Sequence, residues 1–124
     1  MIEDKIIFII DDDIVQNEIH SLLLNKLYPD ATIHSFTTSK EAIKALDNGI
    51  SPAVIFLDLN IPGEEKFGFL TYHKDRNHPS EIYLISAVGY IDDQRLIANY
   101  PAVKDFISKP LLAHKLRNIL KECA

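Results

Sequence analysis

Lys5-Ile6-Ile7-Phe8-Ile9-Ile10-Asp11-Asp12-Asp13 carries five consecutive apolar residues straight into three carboxylates. Its length suits a β-strand and is far too short for a signal-peptide core or a membrane span. Four further apolar or β-branched runs follow at residues 31–36, 53–57, 81–85 and 103–107, separated by longer segments of helical period. The chain thus alternates strand and helix five times, the pattern of an α/β domain built on a parallel sheet.

The helical segments differ in clarity. After the first strand, Val15, Ile19, Leu22, Leu23, Lys26 and Leu27 carry an apolar recurrence of three and four residues, which predicts a helix buried on that face and ended by Tyr28-Pro29-Asp30. A second helix is expected to start near Thr38 or Ser39, where a hydroxyl can cap free amides, and to run through Ala42, Ile43 and Leu46 to Asn48-Gly49. Phe67, Phe69, Leu70 and Tyr72 suggest a third, which Gly68 weakens and residues 77–79 close. A fourth, at residues 92–99, is weakly patterned. The last, at 111–120, opens directly after Pro110 and places Leu112, Leu116, Ile119 and Leu120 on one face.

The runs at 53 and 81 are almost uninterruptedly apolar, as strands covered by helices on both faces should be. Right-handed crossovers then favour a doubly wound, five-stranded parallel sheet of flavodoxin-like order 2-1-3-4-5 with helices on both faces, in which strands one and three are neighbours at the switch point. Ligands of such sheets bind beyond the carboxyl ends of the strands. There the first strand ends in Asp11, Asp12 and Asp13, the third in Asp58, the fourth in Ser86, and the fifth in Ser108 and Lys109. The second ends in Ser35 and Phe36, away from the switch point.

Carboxylates brought that close repel one another, and a hard divalent cation relieves the conflict. Magnesium fits because it takes oxygen ligands, needs few protein carboxylates and leaves positions for phosphate oxygens. An aspartate can act as a nucleophile at phosphorus, with Lys109 pairing to a phosphoryl oxygen and the Ser86 hydroxyl donating to another.

At 124 residues the chain is expected to be one domain, 1–124, without an output module, acting through partners. A hydrophobic fraction of 47% with 25% charged residues excludes a disordered chain. A net charge of -5 without a basic run argues against direct binding to nucleic acid or membrane. The only cysteine, Cys123, has no partner in the chain, which fits a reducing, cytoplasmic compartment. His20, His34, His73, His78 and His114 lack zinc-ligand spacing and are expected at the surface.

Four segments in this order, Ile6 through Asp12, Val54-Ile55-Phe56-Leu57-Asp58-Leu59-Asn60-Ile61-Pro62, Leu84-Ile85-Ser86-Ala87 and Asp105-Phe106-Ile107-Ser108-Lys109-Pro110, resemble the receiver domain of two-component response regulators over nearly the whole chain. The resemblance implies a phosphorelay switch rather than a turnover enzyme, phosphorylated on Asp58 by a histidine kinase or a histidine phosphotransfer protein. It implies that Asp12 binds magnesium directly, that Asp11 assists through water and that the carbonyl of Asn60 completes the ligands. Ser86 would be the switch hydroxyl, Phe106 the aromatic whose rotamer follows it, and Lys109 the counter-ion, with a cis Lys109-Pro110 bond. Partners of relatives dock on the face of helix four, strand five and helix five, which singles out Tyr90, Ile91, Tyr100 and Pro101.

Two departures qualify the match. Relatives usually have glycine eight positions after the phosphoacceptor, where this chain has Lys66, while Gly68 lies two further on, as if two residues were inserted around 63–67. Val88 is apolar where many relatives are polar, which implies weaker assistance to water attack. Each motif also has a plainer reading: the aspartates as helix caps, Asp58 as the start of a turn, Lys109-Pro110 as a turn before a helix, Phe106 as packing. The competing functions are a pseudo-receiver docking module that is never phosphorylated, a magnesium-dependent phosphatase or phosphotransferase, and a flavin-binding protein. The intact Asp12, Asp58 and Lys109 oppose the first, the lack of a further acid or base and of a capping domain the second, and three aspartates where a phosphate cradle should be the third.

Overall fold

The computed structural model describes residues 5–59, 61, 63, 67–86 and 98–121. Strands β1 (Ile6–Ile10), β2 (Thr32–Phe36), β3 (Val54–Asp58), β4 (Glu81–Ser86) and β5 (Val103–Ser108) form one parallel sheet in the order β2-β1-β3-β4-β5. Helices α1 (Ile14–Leu27), α2 (Ser39–Asp47), α3 (Gly68–Arg76) and α4 (Ala113–Lys121) cover it. Of the helix expected at 92–99, Ala98 and Asn99 are helical, and the remainder lies outside the described residues.

Alternation along the strands builds two cores. Phe8, Ile10, Ile55, Leu57, Ile82 and Leu84 pack with Ala42 and Leu46 of α2 and with Phe69 and Leu70 of α3. Ile7, Ile9, Val54, Phe56, Tyr83 and Ile85 pack on the opposite face with Leu24 of α1 and with Leu116 and Leu120 of α4. Full burial of each such side chain stabilises the fold by about 1.5–3 kcal/mol, so strands apolar at every position are what this double covering demands.

The helix boundaries follow from capping chemistry. Asp13 caps α1, its Oδ1 accepting from the amides of Val15 and Gln16 at 3.0 and 3.2 Å. Thr38 caps α2, its Oγ1 accepting from the Glu41 amide at 3.2 Å while Gly49, at φ +92, takes the left-handed conformation that follows the helix end. Gly68 is the first residue of α3, where its weak helix propensity does little harm, and left-handed Asn77 ends that helix.

Three expectations are corrected. Part of the α1 face predicted to be buried is turned outward: Val15, Ile19 and Leu22 are 63%, 50% and 64% exposed, whereas Leu23 and Leu27 pack half-buried against the core as expected, and Asn17, His20 and Leu24 point into the protein. The physical reason is that the inner face of α1 must satisfy buried polar backbone at the strand ends, which an apolar stripe cannot do. His20 and His73, expected at the surface, are buried. Leu112 precedes α4 and is exposed, whereas Leu111 is buried in its place.

Candidate functional site

The ladder registers place the strand tips side by side. Ile10 pairs with Leu57, Asp58 with Ile85 and Ser86 with Ser108, so the ends of β1, β3, β4 and β5 meet at one edge. The Asp11 amide continues the ladder by donating to the Phe36 carbonyl at 3.0 Å. Because side chains alternate, Asp11 follows the row of Ile7 and Ile9, Asp58 that of Val54 and Phe56, and Lys109 that of Ile107, all on the α1/α4 side of the sheet.

One carboxylate oxygen each from Asp11, Asp12 and Asp58 lies within 4.8 Å of the others. Asp11 is fully buried and Asp58 nearly so, while Asp12 faces solvent. Burying a carboxylate costs several kcal/mol unless it is paired, and the pairing comes from Lys109. Its Nζ lies 2.5 Å from Asp11 Oδ2 and donates to Asp58 Oδ2 at 3.0 Å. The other Asp11 oxygen accepts from the Asp13 amide at 3.0 Å. Burial opposes the Lys109 ammonium, but its hydrogen bonds to the two aspartates and their charge outweigh that and raise its pKa above the ordinary lysine value. Three carboxylates and one ammonium leave a formal charge of -2 on this cluster, the complement of one divalent cation. An all-oxygen donor set of this size suits magnesium.

The other expected site residues distribute as follows. Ser86 ends β4, half-buried, and its carbonyl accepts the Lys109 amide at 2.8 Å. Phe106 is a mostly buried member of the α2/α3 core below Ser86. The Lys109-Pro110 peptide bond is cis. Asn60, Val88, Lys66, Tyr90, Ile91 and Cys123 lie outside the described residues. Pro101 is exposed, and Tyr100 is half-buried with its hydroxyl 3.0 Å from that of Thr71.

Two polar residues of α1 belong to this edge and were not anticipated. Asn17 Nδ2 donates to the carbonyls of Asp11 and Phe36 at 2.8 and 3.2 Å, tying the tips of β1 and β2 to the helix. His20, fully buried, accepts the Leu111 amide on Nε2 at 3.3 Å. Burial lowers its pKa, Asp11 acts in the opposite direction and Lys109 adds to the lowering. The spacing 17, 20 and 24 is itself a helical face, but its first two members are polar and a search for apolar periodicity passes over it.

A cavity of about 550 Å3 opens at the opposite edge, where β4 and β5 begin, lined by Leu70, His73, Lys74, His78, Tyr100 and Lys104 among others. It shares no residue with the acidic cluster.

Residues 7–121 match the family described as the response regulator receiver domain. No curated protein matches the sequence. Among solved structures, the signal receiver domain of a protein described as a Luxo repressor from Vibrio parahaemolyticus is 18% identical with a TM-score of 0.81, covering 96% of this chain and 88% of that one. The chemotaxis protein CheY4 of Vibrio cholerae is 17% identical with a TM-score of 0.77, covering 97% and 98%. A CheY-like receiver domain protein of Methanospirillum hungatei JF-1 is 19% identical with a TM-score of 0.78, covering 95% and 91%. At these identities the likeness is one of fold.

Proposed function

The chain belongs to the response regulator receiver domain family, whose members are phosphoacceptor signalling switches rather than turnover enzymes, and on that premise we propose that Asp58 accepts a phosphoryl group from a phosphohistidine donor. The observation that carries this reading is the cluster itself: three carboxylates within 4.8 Å, with one ammonium bridging two of them. An Asp58 oxygen attacks phosphorus, the bond from phosphorus to the donor nitrogen breaks, and the product is an aspartyl phosphate. Lys109, already 3.0 Å from Asp58, pairs with a phosphoryl oxygen as charge accumulates there. Magnesium, held by Asp11, Asp12, Asp58 and the carbonyl of Asn60, would neutralise the charge of the transferred group.

The Ser86 hydroxyl and the Phe106 ring form the switch. Ser86 sits one strand from Asp58 and donates to the phosphoryl group, and Phe106, packed beneath it, changes rotamer as Ser86 moves. Two states of this region already in equilibrium, with a partner preferring one, suffice to turn phosphorylation into a signal. The donor, a histidine kinase or histidine phosphotransfer protein, docks on the outward face of α1. That helix begins directly after the three aspartates and exposes Ile14, Val15, Ile19 and Leu22, apolar side chains that the domain's own cores leave uncovered.

No described helix is long and apolar enough to cross a membrane, which is compatible with the cytoplasmic setting proposed for the protein. Incubation with acetyl phosphate and magnesium tests the reading. We expect a gain of one phosphoryl group, reversed by hydroxylamine, prevented by a chelator and absent in Asp58→Asn. Persistence of the label in Asp58→Asn, or no label in the wild type, contradicts it.

A further inference from the structure

We infer that His20 is a positioning residue for Lys109: it holds the loop that carries the ammonium at the distance the phosphoacceptor needs. The inference rests on the assignment of Asp58 and Lys109 made above. Lys109 lies in a short connection between β5 and α4, and a lysine on a free loop would sample many positions. Here the loop is pinned on both sides of Lys109. Its own amide donates to the Ser86 carbonyl at 2.8 Å, and the Leu111 amide, two residues on, donates to His20 Nε2 at 3.3 Å. The first bond fixes the loop to β4, and the second fixes it to α1 across a sequence separation of 91 residues.

The choice of histidine is costly for the fold. An imidazole accepting on Nε2 in its neutral form carries its proton on Nδ1, and His20 Nδ1 is buried without a hydrogen-bond partner among the described residues. A leucine of similar reach would fill the α1/α4 core without the unpaired Nδ1–H, but it would leave the buried Leu111 amide without its acceptor. What the imidazole supplies that leucine cannot is an acceptor for the Leu111 amide. The neutral form this bond requires is also the one that burial favours.

Three measurements on the full chain test the inference. Ring nitrogen chemical shifts of the wild type should show the Nδ1-protonated tautomer of His20, since an Nε2-protonated ring has no acceptor for Leu111 and would overturn the proposal. His20→Leu exchanges one unpaired buried donor, Nδ1–H, for another, the Leu111 amide, so it should remain folded with a melting temperature close to the wild type's, and it should bind magnesium unchanged because Asp11, Asp12 and Asp58 are untouched. It should nevertheless take a phosphoryl group from acetyl phosphate about tenfold more slowly, as expected when a catalytic group shifts by a fraction of an ångström. His20→Gln, whose amide oxygen can accept the same bond, should recover most of that rate. A stable His20→Leu that reacts at the wild-type rate, a His20→Gln as slow as His20→Leu, or a rate loss that parallels lost magnesium binding each refute the positioning role. Asp58→Asn and the wild type, run beside them, separate the two failures: an unlabelled wild type refutes the phosphoacceptor assignment, and the tautomer still decides on the loop.

Discussion

Helices α1 and α4 cover the same face of the same sheet, yet they solve opposite problems. In α4 the apolar residues Leu116 and Leu120 point inward and are completely buried, so its pattern and its packing agree. In α1 the apolar residues Ile14, Val15, Ile19 and Leu22 point outward, and the inward face carries Asn17 and His20 beside Leu24. A helix beside a functional edge answers to the backbone it must hydrogen-bond as well as to the core it must fill. Asn17 serves the tips of β1 and β2, and His20 serves the loop bearing Lys109.

The contrast is most sharply broken by substituting the same residue type on each helix. Leu116→Ala should destabilise the protein by about 2–5 kcal/mol in denaturant titration, the cost of a cavity in a closed core. Leu22→Ala should stay within about 0.5 kcal/mol of the wild type, as for other surface positions. Equal losses in the two variants would mean that α1 is packed by its apolar stripe after all.

A second buried imidazole, His73, belongs to the helix layer on the other face of the sheet. His73 on α3 is 2% exposed and its Nε2 has no hydrogen-bond partner among the described residues. Burial, with a smaller contribution from the charge of nearby His78, lowers its pKa to about 4. Above pH 6.5 both folded and unfolded states keep this ring neutral, so it contributes no pH dependence there. As pH falls below 6.5 the unfolded chain takes up the proton first, and stability is lost progressively until the folded ring titrates near pH 4. The deficit should reach about 3 kcal/mol. Denaturation midpoints of wild type and His73→Phe, compared between pH 7 and 4, should diverge in that window, and parallel curves would contradict the assignment.

Asn17→Ala should cost about 1–3 kcal/mol, because it removes the donor shared by the Asp11 and Phe36 carbonyls. The same measurement on Glu18→Ala, exposed on the same helix, supplies the reference and should show almost no change. The smallest stability effect belongs to the outward stripe. Val15→Lys with Ile19→Lys should leave stability and acetyl phosphate labelling unchanged while slowing transfer from a phosphorylated histidine donor by at least about tenfold, which corresponds to 1.4 kcal/mol of lost docking energy. Unimpaired transfer would place the donor elsewhere.

These two helices also mark how far the sequence could be read. The strands and their order were legible because a doubly covered strand must be apolar at nearly every position, a rule that the inner strands β1, β3 and β4 obey, while the edge strands β2 and β5 carry polar residues and were read from shorter apolar or β-branched runs. The site was legible because strand tips collect at one edge, so Asp11, Asp12, Asp58, Ser86 and Lys109 could be brought together without knowledge of any distance. The inner face of α1 was not, since its periodicity is carried by an asparagine and a histidine whose burial becomes sensible only once the Phe36 and Asp11 carbonyls and the Leu111 amide are seen to need partners. Leu112 misled for a simpler reason. The cis Lys109-Pro110 turn is followed by two residues outside the helix, so the buried position falls to Leu111.

On the reading proposed above, the acidic tips of β1 and β3 share one divalent cation beside Lys109. Magnesium titration followed by amide chemical shifts tests it most directly. One saturable site should appear, with the largest shifts at Asp11, Asp12 and Asp58 and weakened binding in Asp12→Asn, whereas a spectrum indifferent to magnesium, or shifts centred away from those three residues, would contradict the account.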